Sequence, residues 1–272
     1  MRHGVHHIAD WLSLAAALSV ALGSVLHAAQ AGEVPFNSAE FKVGALLYED
    51  AFDHGIGQWS AEIERPSSLN PGSLKPGSLK PGLIEPGSVK VVDGVLRVDV
   101  PAGATVWFKH PLEGAVLIEY EATVIQAGGA NDRLSDLNCF WMATDTRSPA
   151  DLFATLRSGQ SAEYNRLKTY YVGQGGNGNT TTRFRRYIGS QDSRPLLPEH
   201  DFSAAAVLLK ANVAQTIQLV AAGDRVQYLR NGSLIFDVHD PDPYTSGYYA
   251  FRTTHSHIEL RRFRVYRLSK KP

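Results

Sequence analysis

Short segments in which apolar and polar residues alternate recur along most of the chain, and turn residues separate them. Successive side chains of a β-strand point to opposite faces, so this period of two is typical of half-buried strands. Residues that tolerate positive φ lie between the segments at Val92-Asp93-Gly94, Gly223-Asp224 and Asn231-Gly232 and predict tight hairpins. Helical spacing is confined to 149–156 and 203–209. The alternating segments are KVVDGVLRVDV, TVWFKH, VLIEYEATVI, LNCFWMAT, TYYVG, TRFRRYI, TIQLVAAGDRVQYLRNGSLIFDV and GYYAFRTTHSHIELRRFRVYRL.

The number and order of these segments predict an all-β fold. Eight or more short strands without β-α-β alternation favour a β-sandwich of jelly-roll type. In the last segment, Ile258 and Leu260 fall on one face whereas Phe263 and Val265 would fall on the other. We therefore expect a β-bulge near Arg261-Arg262, which restores the buried face.

The first 31 residues have the order of a secretory signal peptide. Basic and histidine residues precede an apolar run, which ends in the A-x-A sequence Ala29-Gln30-Ala31. We expect cleavage after Ala31, export to the periplasm or the exterior, and no membrane association afterwards. The alternative is an uncleaved anchor helix, but the run is shorter than the about 20 residues that cross a bilayer. Residues 32–272 are then one domain, in which the Pro-Gly repeat at 67–88 is a loop insertion.

Charge and cysteine content exclude several classes of function. The 272 residues carry 27 Lys and Arg against 27 Asp and Glu, so the formal net charge is zero. Nucleic acid is not expected as a partner, because the chain lacks the positive field that phosphate backbones require. The single cysteine, Cys139, excludes a disulfide framework and a cysteine-based zinc cluster. No cofactor and no calcium site is indicated, and we expect a monomer.

Several strings resemble the concanavalin A-like lectin/glucanase superfamily. They are LYEDAFD with Trp59 nearby, VDGVLRVDV, IEYEATV, VQYLRNGSLIFD and the closing GYYAFRTTHSHIELRRFRVYR. The strings NDRLSDLNCFWMATD, TYYVGQGGNGNTTTRFRRY and RPLLPEHD more narrowly resemble exported bacterial proteins of unassigned activity, associated with pectin and rhamnogalacturonan utilisation. The resemblance covers nearly all of the chain after residue 31 and implies the jelly-roll sandwich. Because the superfamily includes lectins, hydrolases, lyases and binding modules, it implies carbohydrate rather than one reaction.

The segment TTTRFRRY predicts a polar strand face. Arg183, Arg185 and Tyr187 share this face with Thr181, whereas Phe184 points to the other. Two neighbouring guanidinium groups can bind a planar anion such as a uronate carboxylate through paired hydrogen bonds. The alternative is that each arginine pairs with an Asp or Glu of the protein itself. In the glycine-rich loop before the strand, the amides of Asn177 and Asn179 could bind sugar hydroxyls.

Two further segments contain candidate ligands for a sugar. In NDRLSDLNCFW, Asp132, Asp136 and Asn138 could bind hydroxyls and Trp141 could cover a sugar ring, although a core position for Trp141 is the stronger interpretation. In FRTTHSH, Arg252 precedes His255 and His257, whose spacing places both on one strand face. That pair is compatible with proton transfer, with a metal site that lacks an evident third ligand, or with a structural role.

Together these residues favour a polysaccharide lyase. Removal of the C5 proton of a uronate requires a group that neutralises the carboxylate and a base of suitable pKa. Resemblance to jelly-roll lyases implies His255 and Tyr171, or Tyr187, in proton transfer, with Arg183 and Arg185 on the carboxylate. A non-catalytic carbohydrate-binding module and a glycoside hydrolase of the same fold remain alternatives. A retaining hydrolase would need two carboxylates about 5 Å apart, and no motif in the sequence supplies such a pair.

Overall fold

The computed structural model describes Met1, residues 34–65 and residues 87–272. The predicted signal peptide and most of the Pro-Gly repeat lie outside these residues. The described part contains fourteen strands: β1 Phe41–Asp50, β2 Trp59–Ile63, β3 Ser88–Val92, β4 Val95–Phe108, β5 Leu112–Glu113, β6 Val116–Val124, β7 Leu137–Asp145, β8 Leu167–Gly175, β9 Thr181–Ile188, β10 Asp201–Phe202, β11 Gln215–Ala222, β12 Arg225–Arg230, β13 Ser233–His239 and β14 Ser246–Lys270.

The strands form a continuous antiparallel sheet that folds over on itself along β14. Tyr248 to Arg252 of β14 pair with β7, whereas Ile258 to Arg267 pair with β6. The order β10-β9-β8-β7-β14-β6-β11-β12-β13 therefore divides into two halves that share β14. We call the half from β10 to the start of β14, together with β2 and the end of β4, the front half, and the remainder the back half. The fold is a jelly-roll sandwich, as the alternation predicted.

The hydrophobic core lies between the two halves. Alternate residues of each strand point inward, and Trp59 packs in this core against Phe108 and Phe263 at ring-centroid distances of 5.2 and 4.9 Å. Polar contacts also cross the core, since the Tyr228 hydroxyl donates to the Gln174 side-chain oxygen at 2.6 Å. The two halves are thus held at a fixed separation by packing and by hydrogen bonds.

The predicted turns are confirmed. Val92 pairs with Val95, Ala222 with Arg225, and Arg230 with Ser233 across the three hairpins. The predicted bulge is confirmed as well, because the β14 register shifts between Arg261 and Arg264 and Arg262 has a φ of 53°. Phe263 and Val265 therefore rejoin Ile258 and Leu260 in the core.

The segments with helical spacing do not form α-helices. In 149–156 the Asp151 side chain accepts the Phe153 N–H and begins one 3-10 turn, Leu152–Ala154, which ends in extended backbone at Thr155. In 203–209 a single turn, Ala205–Val207, is present. No helix in the described ranges is long and apolar enough to cross a membrane.

The segment 146–166 crosses the outer face of the front half, and we call it the strap. Leu152 and Tyr164 of the strap pack on Trp107 and Phe140 of the sheet, with a centroid distance of 5.7 Å between Phe140 and Tyr164. These contacts form a second apolar cluster outside the main core. The strap contacts β2 through Arg157 and Glu62, and its 3-10 turns at Leu152–Ala154 and Ser161–Arg166 contact β7 and β9.

Candidate functional site

Polar side chains stand opposite one another across the outer face of the front half. The register pairs Thr105 of β4 with Arg252 of β14, Arg252 with Asn138 of β7, Asn138 with Gly173 of β8, and Gly173 with Arg183 of β9. We call these five residues the polar row. The structure thus brings together three residues predicted from separate sequence segments, Asn138, Arg183 and Arg252.

Arg252 is a buried cation without a carboxylate partner among the described residues. It is 4% exposed, and its Nη1 donates to Thr105 Oγ1 at 2.7 Å and to the Gly159 carbonyl at 3.0 Å. Its Nη2 has no hydrogen-bond partner. The guanidinium also lies 4.5 Å from the ring centroid of Tyr164. Since buried charges in proteins are normally paired by hydrogen bonds, this group has an unused donor.

Arg157 of the strap provides the contrast within the same region. It is 8% exposed, and its Nε donates to Glu62 Oε1 at 3.0 Å while its Nη1 donates to Asp145 Oδ2 at 2.9 Å. Its Nη2 donates to the Leu152 carbonyl at 3.1 Å. Arg157 is therefore fully paired, and its role is to fasten the strap to the sheet.

Asn138 presents an unused acceptor next to Arg252. Its Nδ2 donates weakly to Asp136 Oδ1 at 3.4 Å, whereas its Oδ1 is buried without a partner. Asp136 is itself held by Arg133 and accepts a hydrogen bond from Ser135 Oγ at 2.8 Å. One unused acceptor and one unused donor on adjacent strands match the two functions of a hydroxyl group, which both donates and accepts.

Tyr171 places a hydroxyl over the polar row. A Cβ added at Gly173 would lie 2.8 Å from this hydroxyl, so the phenol extends over the residue that has no side chain. The ring packs on Phe140 at 5.1 Å and on Tyr187 at 5.3 Å. Burial, followed by the nearby Tyr187 and Asp136, raises the pKa of Tyr171, and Arg252 opposes this shift. The hydroxyl is therefore neutral near pH 7 and acts as a hydrogen-bond or proton donor.

The two arginines of β9 have different partners. Arg183 forms a bidentate pair with Asp201, with Nε and Nη2 distances of 2.8 and 3.0 Å, as in the alternative of an internal partner. Arg185 stands opposite Tyr171 and donates to the Arg194 carbonyl. Burial lowers the pKa of Arg185, and the nearby Arg194 also lowers it. Arg185 is thus a cation beside other cations, whereas the charge of Arg183 is already balanced.

Four predicted sugar ligands have other roles. Trp141 is completely buried between the halves, which confirms the core position that the sequence favoured over contact with a sugar ring. Tyr187 is 3% exposed and supports Tyr171 from the side. Both functions of the Asn179 amide are used by Leu209, whose N–H and carbonyl lie at 2.8 and 3.1 Å. Asn177 is exposed in the turn before β9 and donates to Thr181 Oγ1 at 3.4 Å.

The predicted histidine pair is not placed beside Tyr171. His255 has a φ of 44° and lies at a second register shift, between Thr254 and Ser256, where the extra residue belongs to β4. Regular alternation therefore does not relate it to His257, and three residues of strand, about 10 Å, separate it from the polar row. His257 bonds Asp132 through Nδ1 at 3.1 Å.

Asp132 serves the turn that contains it. It also accepts the backbone N–H groups of Ala127 and Gly129 at 2.6 and 2.9 Å. Burial alone would raise the pKa of Asp132, but the bonds from Ala127, Gly129 and His257 outweigh it and lower the pKa. No group of three His, Cys, Asp or Glu side chains in the described ranges could hold a metal ion.

The sequence reasoning missed the residues that position the strap and one end of the row. They include Glu62 and Glu64, whose alternation with Ala61 and Ile63 in WSAEIE is a strand signal that could have placed both carboxylates on one face. No comparable signal marks Arg157 or Tyr164, because their partners lie 95 and 102 residues away in the chain.

The family model that matches this chain covers residues 98–263, which contain every member of the polar row together with Tyr171 and Arg185. The chain belongs to the family named Domain of unknown function (DUF6250). A search of curated proteins finds no match. Glu62 and Glu64 precede the DUF6250 match.

Solved structures similar to this DUF6250 protein share its fold. A protein of unknown function with a galectin-like fold from Bacillus subtilis is 16% identical, with a TM-score of 0.64 over 85% of this chain and 100% of that chain. An endo-β-1,3-glucanase from Pyrococcus furiosus is 8% identical, with a TM-score of 0.53 over 83% and 95%. LamA from Z. galactanivorans, in complex with laminaritriose and laminaritetraose, is 13% identical, with a TM-score of 0.51 over 83% and 100%. At these identities the similarity establishes the fold alone.

Proposed function

We propose that this protein is carbohydrate-active and binds an acidic glycan on the polar row, with the carboxylate of a uronate on Arg252. The observation that carries the proposal is the buried Arg252, which has a free Nη2 and no carboxylate partner among the described residues. Nearby Arg157 is also buried and pairs with two carboxylates. An external anion would form an ion pair with Arg252, as Glu62 and Asp145 do with Arg157.

A sugar also satisfies the neighbouring polar groups. A hydroxyl beside the carboxylate can donate to Asn138 Oδ1, while the Tyr171 hydroxyl donates to an oxygen of the sugar. Arg185 adds positive charge on the side of β9, opposite Tyr171. The endo-β-1,3-glucanase and the oligosaccharide complex of LamA, which have the same fold, are consistent with a carbohydrate ligand.

A second candidate function is cleavage of the same glycan by β-elimination, and the neutral Tyr171 hydroxyl favours it. In this reaction a base takes the C5 proton, the C4–O bond breaks, and the leaving oxygen takes a proton. The protonated Tyr171 hydroxyl lies over the polar row, next to Gly173, and can give that last proton. Arg252 would stabilise the charge that develops on the carboxylate. We also propose that the protein takes part in the utilisation of pectin or rhamnogalacturonan.

One set of assays separates binding from cleavage. The protein is incubated with pectic, rhamnogalacturonan, alginate and glucuronan substrates, and both calorimetric binding and absorbance at 235 nm are recorded. Binding without absorbance supports a binding protein, and absorbance that Tyr171→Phe abolishes supports the lyase. New reducing ends without absorbance would indicate hydrolysis instead. Failure to bind any of the acidic glycans would contradict the proposal.

We further propose that the protein is exported and acts as a monomer. The basis is the order of basic residues, apolar run and A-x-A sequence before Gly32. Mass spectrometry of the native protein should find its N-terminus at Gly32, and an intact Met1 would contradict export. Light scattering should give the mass of a single chain.

A further inference from the structure

A pocket lies where the free edges of the two halves face each other, away from the polar row. β9 and β13 are near opposite ends of the sheet order, and the fold brings Phe184 of β9 within 5.9 Å of Phe236 of β13 between ring centroids. The pocket beside this contact has a volume of about 220 Å³. Buried Tyr170 and Phe184 close its inner end. Its accessible apolar walls are Ile188, Pro195, Leu197, Val238 and Pro241.

The pocket is apolar and open to solvent. Ile188 and Leu197 are 42% and 49% exposed, so solvent reaches the pocket from their side. Large apolar side chains that remain exposed beside a concave apolar surface are typical of a small-molecule site. A cavity of about 150 Å³ holds benzene, so this pocket is large enough for one aromatic ring with small substituents.

Most polar side chains that line the pocket are hydrogen-bonded within the protein. The Tyr170 hydroxyl and Arg186 Nε both donate to Asp240 Oδ2, each at 2.7 Å. His239 Nδ1 lies 3.3 Å from Asp224 Oδ2. These bonds hold the two edges together and leave few polar groups for a ligand. A sugar, which needs several polar partners, is therefore not the ligand expected in this pocket.

His200 supplies the polar group that a ligand can use. Its side chain lines the pocket, is partly exposed, and has no hydrogen bond among the described residues. The ring contacts Phe184 and Phe236 edge-on, at centroid distances of 5.1 and 6.2 Å, which fixes its orientation. Burial lowers the pKa of His200 more than the nearby Glu199 raises it, so the imidazole is neutral near pH 7. A neutral imidazole has one ring nitrogen that accepts a hydrogen bond.

We propose that this pocket is a second binding site, which takes a single phenol ring with its hydroxyl on His200. A ring fills the apolar space, and because it is rigid it loses less conformational entropy on binding than an alkyl chain does. Its hydroxyl donates to the free nitrogen of the imidazole. The ligand is either a free phenol or a phenol attached to a larger molecule such as a glycan. This inference is independent of the proposed uronate site at Arg252.

The first test separates the hydroxyl from the ring. p-Cresol and 4-fluorotoluene, which differ by a hydroxyl and a fluorine of similar size, are titrated into the protein and followed by NMR. The wild type should bind p-cresol about fivefold more tightly, as for one neutral hydrogen bond. His200→Phe keeps an aromatic ring in place and should bind both compounds equally. His54→Phe, at an exposed position outside the pocket, is the matched control and should behave as the wild type.

The second test locates the site. Val238→Trp fills the pocket and should abolish binding of both compounds. Val213→Trp is the matched control at an exposed position outside the pocket and should leave binding unchanged. If Val238→Trp melts early, Leu197→Asp provides the same comparison, because Leu197 is exposed and a carboxylate on the wall opposes an apolar ring.

Two further compounds define the ligand. 4-Methylcyclohexanol keeps the hydroxyl but lacks the flat ring, and it should bind more weakly than p-cresol. Arbutin carries a glucose opposite its phenolic hydroxyl: binding at least as tight as that of p-cresol indicates an attached phenol, and weaker binding indicates a free one. Equal wild-type affinity for p-cresol and 4-fluorotoluene, or no binding of p-cresol, would overturn the phenol site. Undiminished binding to a well-folded Val238→Trp protein would overturn its location.

Discussion

At the residue scale, the arginines of the front half divide by what balances their charge. Arg157 has Glu62 and Asp145, Arg183 has Asp201, and Arg252 has no carboxylate among the described residues. Replacement of a buried, fully paired charge leaves unpaired partners and is destabilising, whereas replacement of an unpaired buried charge by an apolar residue removes an unfavourable group. We therefore expect substitution of Arg252 to reduce ligand binding and substitution of Arg157 to reduce stability.

The first prediction compares Arg252→Met with Arg157→Met. Arg252→Met should melt close to the wild-type temperature, because removal of a buried charge without an ion-pair partner offsets the lost hydrogen bonds to Thr105 and Gly159, and it should lose at least about tenfold in affinity for uronate oligosaccharides. Arg157→Met should lose about 3 to 5 kcal/mol of unfolding free energy, since it leaves Glu62 and Asp145 unpaired. Thermal melting and calorimetry measure both. A strong loss of stability in Arg252→Met would show that this arginine is structural.

The second prediction concerns Arg185, which faces Tyr171. Arg185→Lys keeps the charge but loses the planar fork, so affinity for an acidic glycan should fall with little change in melting temperature. Arg183→Lys is the control and should leave affinity unchanged, because Asp201 already occupies that guanidinium. Early melting of Arg185→Lys, or equal effects of the two variants on affinity, would contradict this assignment.

Single residues differ in how far the sequence predicted them. The common face of Arg183 and Arg185 followed from strand alternation, and the structure agrees because β9 is regular. Trp141 lies next to a bulge of β7 at Met142, and its face points between the halves, which alternation alone does not determine. Asn179 looked available because its partner Leu209 lies 30 residues away in the chain. Local patterns thus indicate faces, and contacts distant in sequence decide what each face meets.

At the element scale, β14 determines the geometry of the site. Its start pairs with β4 and β7 and supplies Arg252, and its later part joins the back half. The bulge at Arg262 could be predicted because Ile258 and Leu260 are out of phase with the apolar residues that follow, Phe263 and Val265. The bulge at His255 could not be, because Thr253 and Ser256 on either side are polar residues that are nevertheless buried. Period-two reasoning follows apolar residues and fails where the buried face is polar.

The third prediction tests whether His255 matters only for the backbone conformation of β14 or acts as a catalytic group. Non-glycine residues with a φ near 44° are strained, so His255→Gly should keep or raise the unfolding free energy, by up to about 1 kcal/mol. Binding and any turnover should be unchanged, as the imidazole is exposed and distant from the polar row. Activity assays and denaturant unfolding measure these effects. Loss of turnover in a well-folded His255→Gly protein would show that the imidazole has a catalytic role.

At the scale of the whole molecule, low pH should weaken both the ion pairs of Asp145 that hold the strap and the hydrogen bonds of Asp132 in its turn. Burial alone would raise the pKa of Asp145, but bonds from Arg147 and the charges of Arg147 and Arg157 outweigh it and lower the pKa. The pKa of Asp132 is lowered as well. A carboxyl group whose pKa is lower in the folded state stabilises the fold above its unfolded pKa, and this contribution is lost as pH falls through the folded pKa.

The fourth prediction is the resulting pH profile. The melting temperature should change little from pH 7 to about pH 5 and fall below about pH 4, where unfolded aspartates take up protons. Asp145→Asn should be less stable at pH 7, and its melting temperature should fall less steeply in acid, because one carboxyl group that takes up a proton on unfolding has been removed. Scanning calorimetry across this range measures both profiles. A wild-type protein that melts equally at pH 3 and pH 7 would contradict the contribution of these ion pairs.

The most direct test of the central claim, that a uronate carboxylate completes the buried Arg252, is calorimetric titration with an acidic glycan and its carboxyl-reduced counterpart. The two ligands differ in charge and in one oxygen, and otherwise present the same hydroxyls. The wild type should bind the acidic form at least about tenfold more tightly, and Arg252→Met should bind both forms equally weakly. Equal wild-type affinity for the two forms, or an undiminished preference for the acid in Arg252→Met, would contradict the claim.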